Sequence, residues 1–163
     1  MPSRKASIVI GLALYQPDIP QNAGTLMRLA SCLGFPLHII HPTGFGISDK
    51  NLRRSVMDYA EAAEIVHHDS FERFQSWCAR NRRRQVLLTT KAARSGYEFG
   101  FEPADILMVG RETSGVPESV SASADAKVRI PMRPRMRSIN VAAAAAMMMG
   151  EAMRQTGAFG ELA

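Results

Sequence analysis

Short apolar runs that alternate with helical patterns constrain the fold of this chain more than any other feature. The runs cover residues 8–14, 37–41, 65–67, 86–90, 105–110 and 128–131, and each has the length of a strand. Helical patterns follow at 24–33, 49–54 and 70–80, and a last one runs from 138 to about 155. Strands that alternate with helices predict an α/β fold, a parallel sheet with helices on both faces.

Polar residues and glycines predict where these helices begin and end. Asn22 is a candidate N-cap of the first helix, and Gly34 is the glycine that stops it. Ser70 is a candidate N-cap of the helix at 70–80. Because no repeat, linker or charge block divides the sequence, we expect a single domain over residues 1–163.

The charge of the chain favours an anionic partner. Lys and Arg number 20 against 15 Asp and Glu, which gives a net charge of +5 and an isoelectric point near 9.7. Nucleic acid is the commonest partner of such a protein. A hydrophobic share of 46% and a charged share of 21% are ordinary for a folded domain, so the composition excludes disorder.

The cysteines and histidines do not predict a disulfide framework or a metal site. Cys32 and Cys78 are far apart and in no Cys-x-x-Cys pattern, and we interpret both as small buried hydrophobic residues of a protein in a reducing compartment. His67 and His68 are adjacent and should point to opposite faces of a strand. No apolar run approaches the roughly 20 residues that span a bilayer, so we expect a cytoplasmic protein without a membrane partner.

The last helical pattern predicts a second copy of the chain as a partner. Residues 142–146 are all alanine and 147–149 are all methionine, so this helix is apolar on every side. One sheet can cover only one of those sides. We therefore predict that another side packs against a second copy, in a homodimer.

Three polar segments, 22–28, 108–117 and 130–140, lie beside the predicted strands and helices. Asn22 and Thr25 could be simple caps, and Gly110 and Gly115 could be simple turns. Arg28, however, falls in an apolar helix, where a buried guanidinium needs a carboxylate or a phosphate. The segment at 108–117 follows a strand, the position where open α/β sheets bind ligands.

Taken together, these segments resemble the three motifs of the SPOUT RNA methyltransferases. The matches are Asn-x-Gly-x-x-x-Arg at 22–28, Val-Gly-x-Glu-x-x-Gly at 109–115, and Ile-Pro-Met with Arg-Ser-x-Asn between 130 and 140. Further similarities extend over about residues 8–156. Within the family, the chain looks like the minimal members that methylate the ribose 2′-hydroxyl of the tRNA wobble nucleotide, cytidine or uridine at position 34.

The resemblance implies a SPOUT fold with a C-terminal trefoil knot that binds S-adenosylmethionine and releases S-adenosylhomocysteine, without a metal. Carried over by motif, the cofactor-binding residues are Leu88, Gly110, Ile130, Met132 and Ser138. The implied catalytic residues are Arg28, Glu112, Ser138 and Asn140. Because arginine stays protonated, positioning the target phosphate and ribose suits Arg28 better than acting as a base.

Basic residues predict where RNA binds. The expected contacts to the tRNA anticodon loop are made by Asn22, Arg28, Lys50, Arg53, Arg54, Arg133, Arg135 and Arg137. A second basic group at 80–84 is equally well explained as a solvated helix end. Three alternatives stay open: a SPOUT enzyme acting on ribosomal RNA, a catalytically silent RNA-binding protein of this fold, and an α/β protein that binds a nucleotide or flavin.

Overall fold

The computed structural model describes residues 8–46, 50, 52, 54 and 62–162. Its strands form one sheet, and every strand pair within it is parallel. The strands are β1 (Gly11–Tyr15), β2 (Leu37–Ile40), β3 (Ile65–His68), β4 (Arg84–Leu88), β5 (Asp105–Val109) and β6 (Ala126–Val128). The helices are α1 (Pro20–Leu33), α2 (Phe71–Arg80), α3 (Glu118–Ser123) and α4 (Val141–Thr156), and a 3-10 turn follows at Ala158–Glu161.

Helices cover both faces of the sheet, as predicted. Successive side chains of a strand point to opposite faces. Leu12 and Leu14 of β1 accordingly join the core beneath α1 and α4, whereas Ala13 and Tyr15 join the core beneath α2. The predicted α/β fold is therefore confirmed.

The strand order, β3-β2-β1-β5-β4-β6, determines where a ligand can bind. Strand β1 lies between β2, which follows it in sequence, and β5, which comes much later in the chain. The loops that follow β1 and β5 therefore diverge at the carboxyl edge of the sheet, which is where open α/β sheets hold their ligands. The trefoil knot implied by the resemblance is not tested by this order and stays a prediction.

The predicted caps are partly wrong. Helix α1 begins at Pro20 with Ile19 as its N-cap, so Asn22 lies in the first turn rather than at the cap. Proline is well suited to this first position because its fixed φ is helical and its missing N–H would have no partner there. Gly34 and Ser70 are confirmed: Gly34 adopts φ 72° and its N–H donates to Ala30 O, and the Ser70 side chain accepts from Arg73 N.

The ends of other elements also differ from the prediction; β4, for example, spans Arg84–Leu88 rather than 86–90. Strand β1 begins three residues later than the apolar run at 8–14, and β6 ends at Val128. Helix α4 begins at Val141 with Asn140 as its cap, so Ser138 belongs to the loop before it. Of the predicted helix at 49–54, residues 50, 52 and 54 are helical, and Arg53 lies outside the described residues.

Two of the four arginines in the basic group at 80–84 make structural contacts, which neither interpretation of the group, RNA binding or a solvated helix end, anticipated. Arg84 forms a bidentate ion pair with the fully buried Asp105: Nε donates to Oδ1 at 2.6 Å and Nη2 donates to Oδ2 at 2.7 Å. Arg83 donates to the carbonyl oxygens of Val9 and Ala104 at 2.8 and 3.0 Å. Both residues are at the amino edge of the sheet, opposite the loops that follow β1 and β5, while Arg80 and Arg82 are exposed.

The histidines of β2 and β3 form two pairs. His38 Nδ1 lies 2.9 Å from His68 Nε2 in the core, and His41 Nε2 lies 2.8 Å from His67 Nδ1 nearer the surface. His67 is exposed and His68 buried, which confirms that they face opposite sides. Burial, followed by the charges of His68 and Arg83, lowers the pKa of His38 to about 3.

Cys78 is buried as expected, and that burial raises its pKa to about 12, but Cys32 is exposed on α1, so the interpretation of Cys32 as a core residue is wrong. Within the described ranges, no three His, Cys, Asp or Glu side chains approach closely enough to hold a metal ion. None of the helices in those ranges is long and apolar enough to cross a membrane.

Candidate active site

A cavity of about 440 Å³ lies at the carboxyl edge of the sheet, beside the ends of β4 and β5. Its volume falls in the range of small-molecule sites, about 300–1,000 Å³. The residues around it come from α1, from the loops after β4, β5 and β6, and from the start of α4. They are Ile19, Asn22, Leu87, Leu88, Thr89, Thr90, Val109, Gly110, Arg111, Glu112, Gly115, Val116, Ile130, Met132, Ser138, Ile139, Asn140, Val141 and Ala144.

Apolar side chains and exposed backbone make up much of this cavity. Leu88 and Val109 end their strands inside it, and Ile130 and Met132 face it from the loop after β6. Such a lining suits a flat aromatic group, with orientation supplied by a few polar atoms.

A tight turn joins Gly110 to Gly115 beside the cavity. Arg111 N donates to Gly115 O and Gly115 N donates to Arg111 O, both at 2.9 Å. A Cβ atom at Gly110 would lie 2.7 Å from the carbonyl carbon of Gly115, so glycine is required for this close approach. Gly115 itself has φ 65°, a left-handed conformation that glycine adopts at low cost.

Three polar side chains connect the elements around the cavity. Asn22 Nδ2 donates to Glu112 Oε1 at 3.5 Å, and Asn140 Nδ2 donates to Asn22 Oδ1 at 3.2 Å. Asn140 Oδ1 also accepts from Ala143 N at 3.1 Å and so caps α4. These contacts link α1, the loop after β5 and α4 at one point of the cavity.

Asp18 interacts with the same loop from outside the cavity. Its backbone N–H donates to Glu112 Oε2 at 3.0 Å, and its Oδ1 accepts from Glu112 N at 3.3 Å. A hydrogen bond with the Glu112 side chain, followed by that of Thr113, lowers the pKa of Asp18 below its ordinary value. Burial, followed by the bond with Asp18, raises the pKa of Glu112, so of the two carboxyl groups Glu112 is the one that takes up a proton first.

Among the described residues that line the cavity, Arg111 is the one that is basic. Its Nη2 lies 3.5 Å from Asp18 Oδ2, and its Nε is buried without a hydrogen-bond partner among the described residues. The guanidinium is therefore only weakly paired, and it adds positive charge at the cavity.

The structure brings together most of the site residues expected from the sequence. All five expected cofactor residues line the cavity: Leu88, Gly110, Ile130, Met132 and Ser138. Glu112, Asn140 and Asn22 also line it. Their roles in binding or catalysis are not decided by this placement and stay predictions.

Arg28 is not among the residues that line the cavity. It is exposed on α1, so the argument that a buried guanidinium needs a partner there is wrong. It comes six positions after Asn22, which is about 9 Å along the helix axis. Arg28 is therefore an exposed residue of α1 at some distance from the cavity lining.

The basic residues expected to bind RNA are at the surface. Arg133, Arg135 and Arg137 are exposed on the loop between β6 and α4, and Met132 and Ser138 of the same loop line the cavity. Lys50 and Arg54 are exposed as well, and Arg53 lies outside the described residues. Arg129 is half-buried, and its Nε donates to Ala93 O at 3.3 Å.

Sequence analysis assigned no individual role to Asp18, Arg111, Thr89 or Ile139, although Arg111 and Ile139 lie in the polar segments 108–117 and 130–140. Thr89 directly follows β4 and Asp18 comes three residues after β1, and the carboxyl ends of parallel strands meet at one edge. That rule could have identified both residues. Nothing in the sequence indicated that the side chain of Arg111 would line the cavity.

Comparison with known proteins assigns the family. The model of the SpoU rRNA Methylase family matches residues 9–150, which is most of the chain. The chain belongs to the SpoU methylase family. All of the described residues that line the cavity lie within this matched range.

Two curated SpoU relatives are similar over nearly their whole length. The tRNA (cytidine(34)-2'-O)-methyltransferase of Beijerinckia indica subsp. indica is 56% identical over 151 residues, which cover 93% of this chain and 94% of that protein. The tRNA (cytidine(34)-2'-O)-methyltransferase of Escherichia coli strain K12 is 40% identical over 151 residues, with 91% and 95% covered.

Solved structures confirm the SpoU fold. A structure described as giving insights into the 2-OH methylation of C/U34 on tRNA is similar with a TM-score of 0.86 and 40% identity, over 91% of this chain and 97% of that chain. The SpoU methyltransferase AviRb of Streptomyces viridochromogenes, in complex with the cofactor AdoMet, is similar with a TM-score of 0.84 and 25% identity. That match covers 91% of this chain and 61% of AviRb.

Proposed function

We propose that this protein transfers a methyl group from S-adenosylmethionine to the ribose 2′-hydroxyl of the wobble nucleotide, cytidine 34, of tRNA. One observation carries the proposal above the others. The protein is 56% identical over nearly its full length to a curated enzyme named for that reaction. As further support, most of the motif-matched residues, though not Arg28, line one cavity.

The cavity fits an adenosyl group in size and chemistry. Leu88 and Ile130 supply apolar surface for a purine, and the turn at Gly110 brings backbone N–H and C=O groups close without a side chain between. Met132 and Ser138 would complete the pocket from the loop after β6. When bound, S-adenosylmethionine supplies a methyl group already activated by a positively charged sulfur.

Positioning is the main contribution that the protein residues make to the reaction. A ribose oxygen has to be aligned with the methyl carbon, and the hydroxyl has to lose its proton. Asn22, Glu112 and Asn140 hold one another at the cavity, so they provide fixed donors and acceptors near a bound sugar. Burial raises the pKa of Glu112, so this carboxyl group gives up its proton less readily than an exposed glutamate does.

Arg28 serves RNA binding in this proposal. It is exposed and outside the cavity, and its guanidinium can pair with a phosphate of the anticodon loop next to the target nucleotide. Arg133, Arg135 and Arg137 extend the positive surface on the loop that also lines the cavity. An unstacked loop nucleotide can reach such a cavity, whereas a base-paired one cannot.

The proposal also covers the domain organisation, assembly and location of the protein. Each chain is a single domain, two chains form a homodimer, and the enzyme acts in the cytoplasm. Helix α4 packs on α1 and on the sheet, yet Met147 is 44% exposed and Ala143 is also exposed. An apolar side of a helix that no described residue covers supports a second copy as its partner.

Uridine 34 is the second substrate to test, since the similar solved structure is described with C/U34.

Methyl transfer to a defined tRNA tests the function. Purified protein, S-adenosylmethionine and a tRNA transcript with cytidine 34 should yield 2′-O-methylcytidine, measured by mass spectrometry of the nucleosides. A matched tRNA with 2′-deoxycytidine at position 34 should accept no methyl group. Methylation of ribosomal RNA instead would contradict the proposal, and so would binding of tRNA and S-adenosylhomocysteine without any transfer.

A further inference from the structure

Asp18 lies outside the cavity, but it holds the loop that forms one of the cavity walls. Its Oδ2 accepts from Thr113 Oγ1 at 2.5 Å and lies 3.5 Å from Arg111 Nη2. Its Oδ1 and its backbone N–H both bond to Glu112. One carboxylate thus contacts three consecutive residues that are more than 90 positions away in sequence.

Gly44 supports Asp18 from the other side. Its N–H donates to Pro17 O at 2.9 Å. A Cβ atom at residue 44 would lie 2.8 Å from Asp18 Cβ and 2.9 Å from Asp18 Cα. Contacts this short with the Asp18 main chain mean that a larger residue at position 44 would displace Asp18.

The consequences of these contacts reach the cavity through Glu112. Glu112 lines the cavity, and its Oε1 accepts from Asn22, which in turn accepts from Asn140. If Asp18 moves, the Glu112 side chain loses the backbone donor that fixes its other oxygen. The loop from Gly110 to Gly115 would then be held mainly by its own turn.

We propose that Asp18 is a positioning residue. It fixes the 110–115 loop, and with it Glu112, in the geometry that admits the ligand. Glycine at position 44 is required to keep Asp18 in place. The inference deepens the proposed function, because the ligand is taken to be S-adenosylmethionine. The loop geometry itself can be measured without that ligand.

Hydrogen exchange of the ligand-free protein measures the loop directly. We expect Asp18→Asn and Gly44→Ala each to speed amide exchange in residues 110–116 at least about ten-fold, the effect of losing one strong hydrogen bond. Gly100→Ala is the matched control, because a Cβ atom there meets nothing within 4 Å, and it should leave exchange unchanged.

A conservative pair at Thr113 separates positioning from general damage to the fold. Thr113→Val removes the hydroxyl bonded to Asp18 and should also speed exchange, whereas Thr113→Ser keeps the hydroxyl and should restore the wild-type rate. Thr113 is exposed and does not line the cavity, so neither change alters a ligand contact directly. In calorimetry, Asp18→Asn and Thr113→Val should weaken binding of S-adenosylhomocysteine about ten-fold, and Thr113→Ser should not.

The results distinguish this inference from the proposed function. Wild-type exchange rates and wild-type affinity in Asp18→Asn and Gly44→Ala would overturn the positioning role, and so would equal behaviour of Thr113→Val and Thr113→Ser. If the Asp18→Asn protein does not fold, the comparison of Thr113→Val with Thr113→Ser still tests the positioning role. If the wild-type protein does not bind S-adenosylhomocysteine, the proposed function fails while the exchange result still decides the role of Asp18.

Discussion

Asn140 caps helix α4 with one atom of its side chain and holds Asn22 with the other. Oδ1 accepts from Ala143 N at 3.1 Å, and Nδ2 donates to Asn22 Oδ1 at 3.2 Å. A single side chain therefore fixes both the start of a core helix and a polar residue of the cavity. These two roles can be separated by substitution.

Asn140→Asp should keep the cap and lose the bond to Asn22, because aspartate caps helices as well as asparagine does but cannot donate. Asn140→Ala should lose both and destabilise the protein by about 1 kcal/mol. Urea unfolding measures the first role and methyl transfer the second. An Asn140→Asp protein with wild-type activity would show that the bond to Asn22 does not matter.

Arg28→Ala should abolish turnover and leave cofactor affinity unchanged, since Arg28 is exposed and outside the cavity. Single-turnover methylation and calorimetry with S-adenosylhomocysteine measure the two quantities. Arg73→Ala, which removes an exposed arginine of α2, is the control and should change neither. A normal single-turnover rate in Arg28→Ala would remove this residue from the reaction.

Gly110→Ala should prevent cofactor binding. The added Cβ atom would lie 2.7 Å from the backbone of Gly115, so the turn beside the cavity has to change shape. Calorimetry should detect no binding of S-adenosylhomocysteine under conditions where the wild-type protein saturates. The control is Gly100→Ala, where an added Cβ meets nothing within 4 Å; it should still bind. Equal affinity of both variants would mean that the turn does not contact the ligand.

Met147→Glu should convert a dimer into a monomer. Met147 is 44% exposed on α4, and a buried carboxylate at an interface between copies would be strongly unfavourable. Light scattering after size-exclusion chromatography gives the mass. Ala79→Glu on α2, which adds the same charge at an exposed position on the other face, should not change it. A wild-type protein that is already monomeric at micromolar concentration contradicts the dimer.

Stability should fall below about pH 6.5 because of the buried pair His38 and His68. The pKa of His38 is about 3 in the folded protein and about 6.5 in the unfolded chain. Between pH 6.5 and 3 the unfolded chain therefore binds a proton at His38 that the folded protein does not bind, and this favours unfolding. One such proton costs about 1.4 kcal/mol for each pH unit well below 6.5. Urea unfolding at pH 7, 6 and 5 measures this loss.

His38→Gln should reduce that pH dependence, because glutamine can bond to His68 but does not titrate in this range. His41→Gln changes the pair nearer the surface and should retain the dependence. If both variants keep the wild-type slope, the loss of stability comes from other groups.

The sequence predicted the layers of the fold because burial on both faces leaves a strong pattern. The runs around Leu12 and Leu107 read as continuous apolar strands, and both lie in the centre of the sheet. Helix ends were less predictable. Asn22 has the chemistry of a cap, but Pro20 starts the helix earlier, and local sequence does not show which of two suitable starts is used.

The candidate site was predicted from motifs rather than from residue chemistry. Glu112 and Asn140 have no unusual local pattern, and they meet only because the order of the strands brings their loops together. Contacts such as that of Asp18 with Thr113 depend on three-dimensional placement, so no periodicity in the sequence could indicate them. The exposure of Arg28 was missed because an apolar helix still has one side in solvent.

The contact between Asp18 and Glu112 joins residues 94 positions apart, and the contact between Asn22 and Asn140 joins residues 118 positions apart. Such separations delay formation of the cavity until most of the chain has been synthesised and folded. A nascent chain on the ribosome, with its last third still in the exit tunnel, would therefore have neither a cofactor pocket nor any competence to modify RNA.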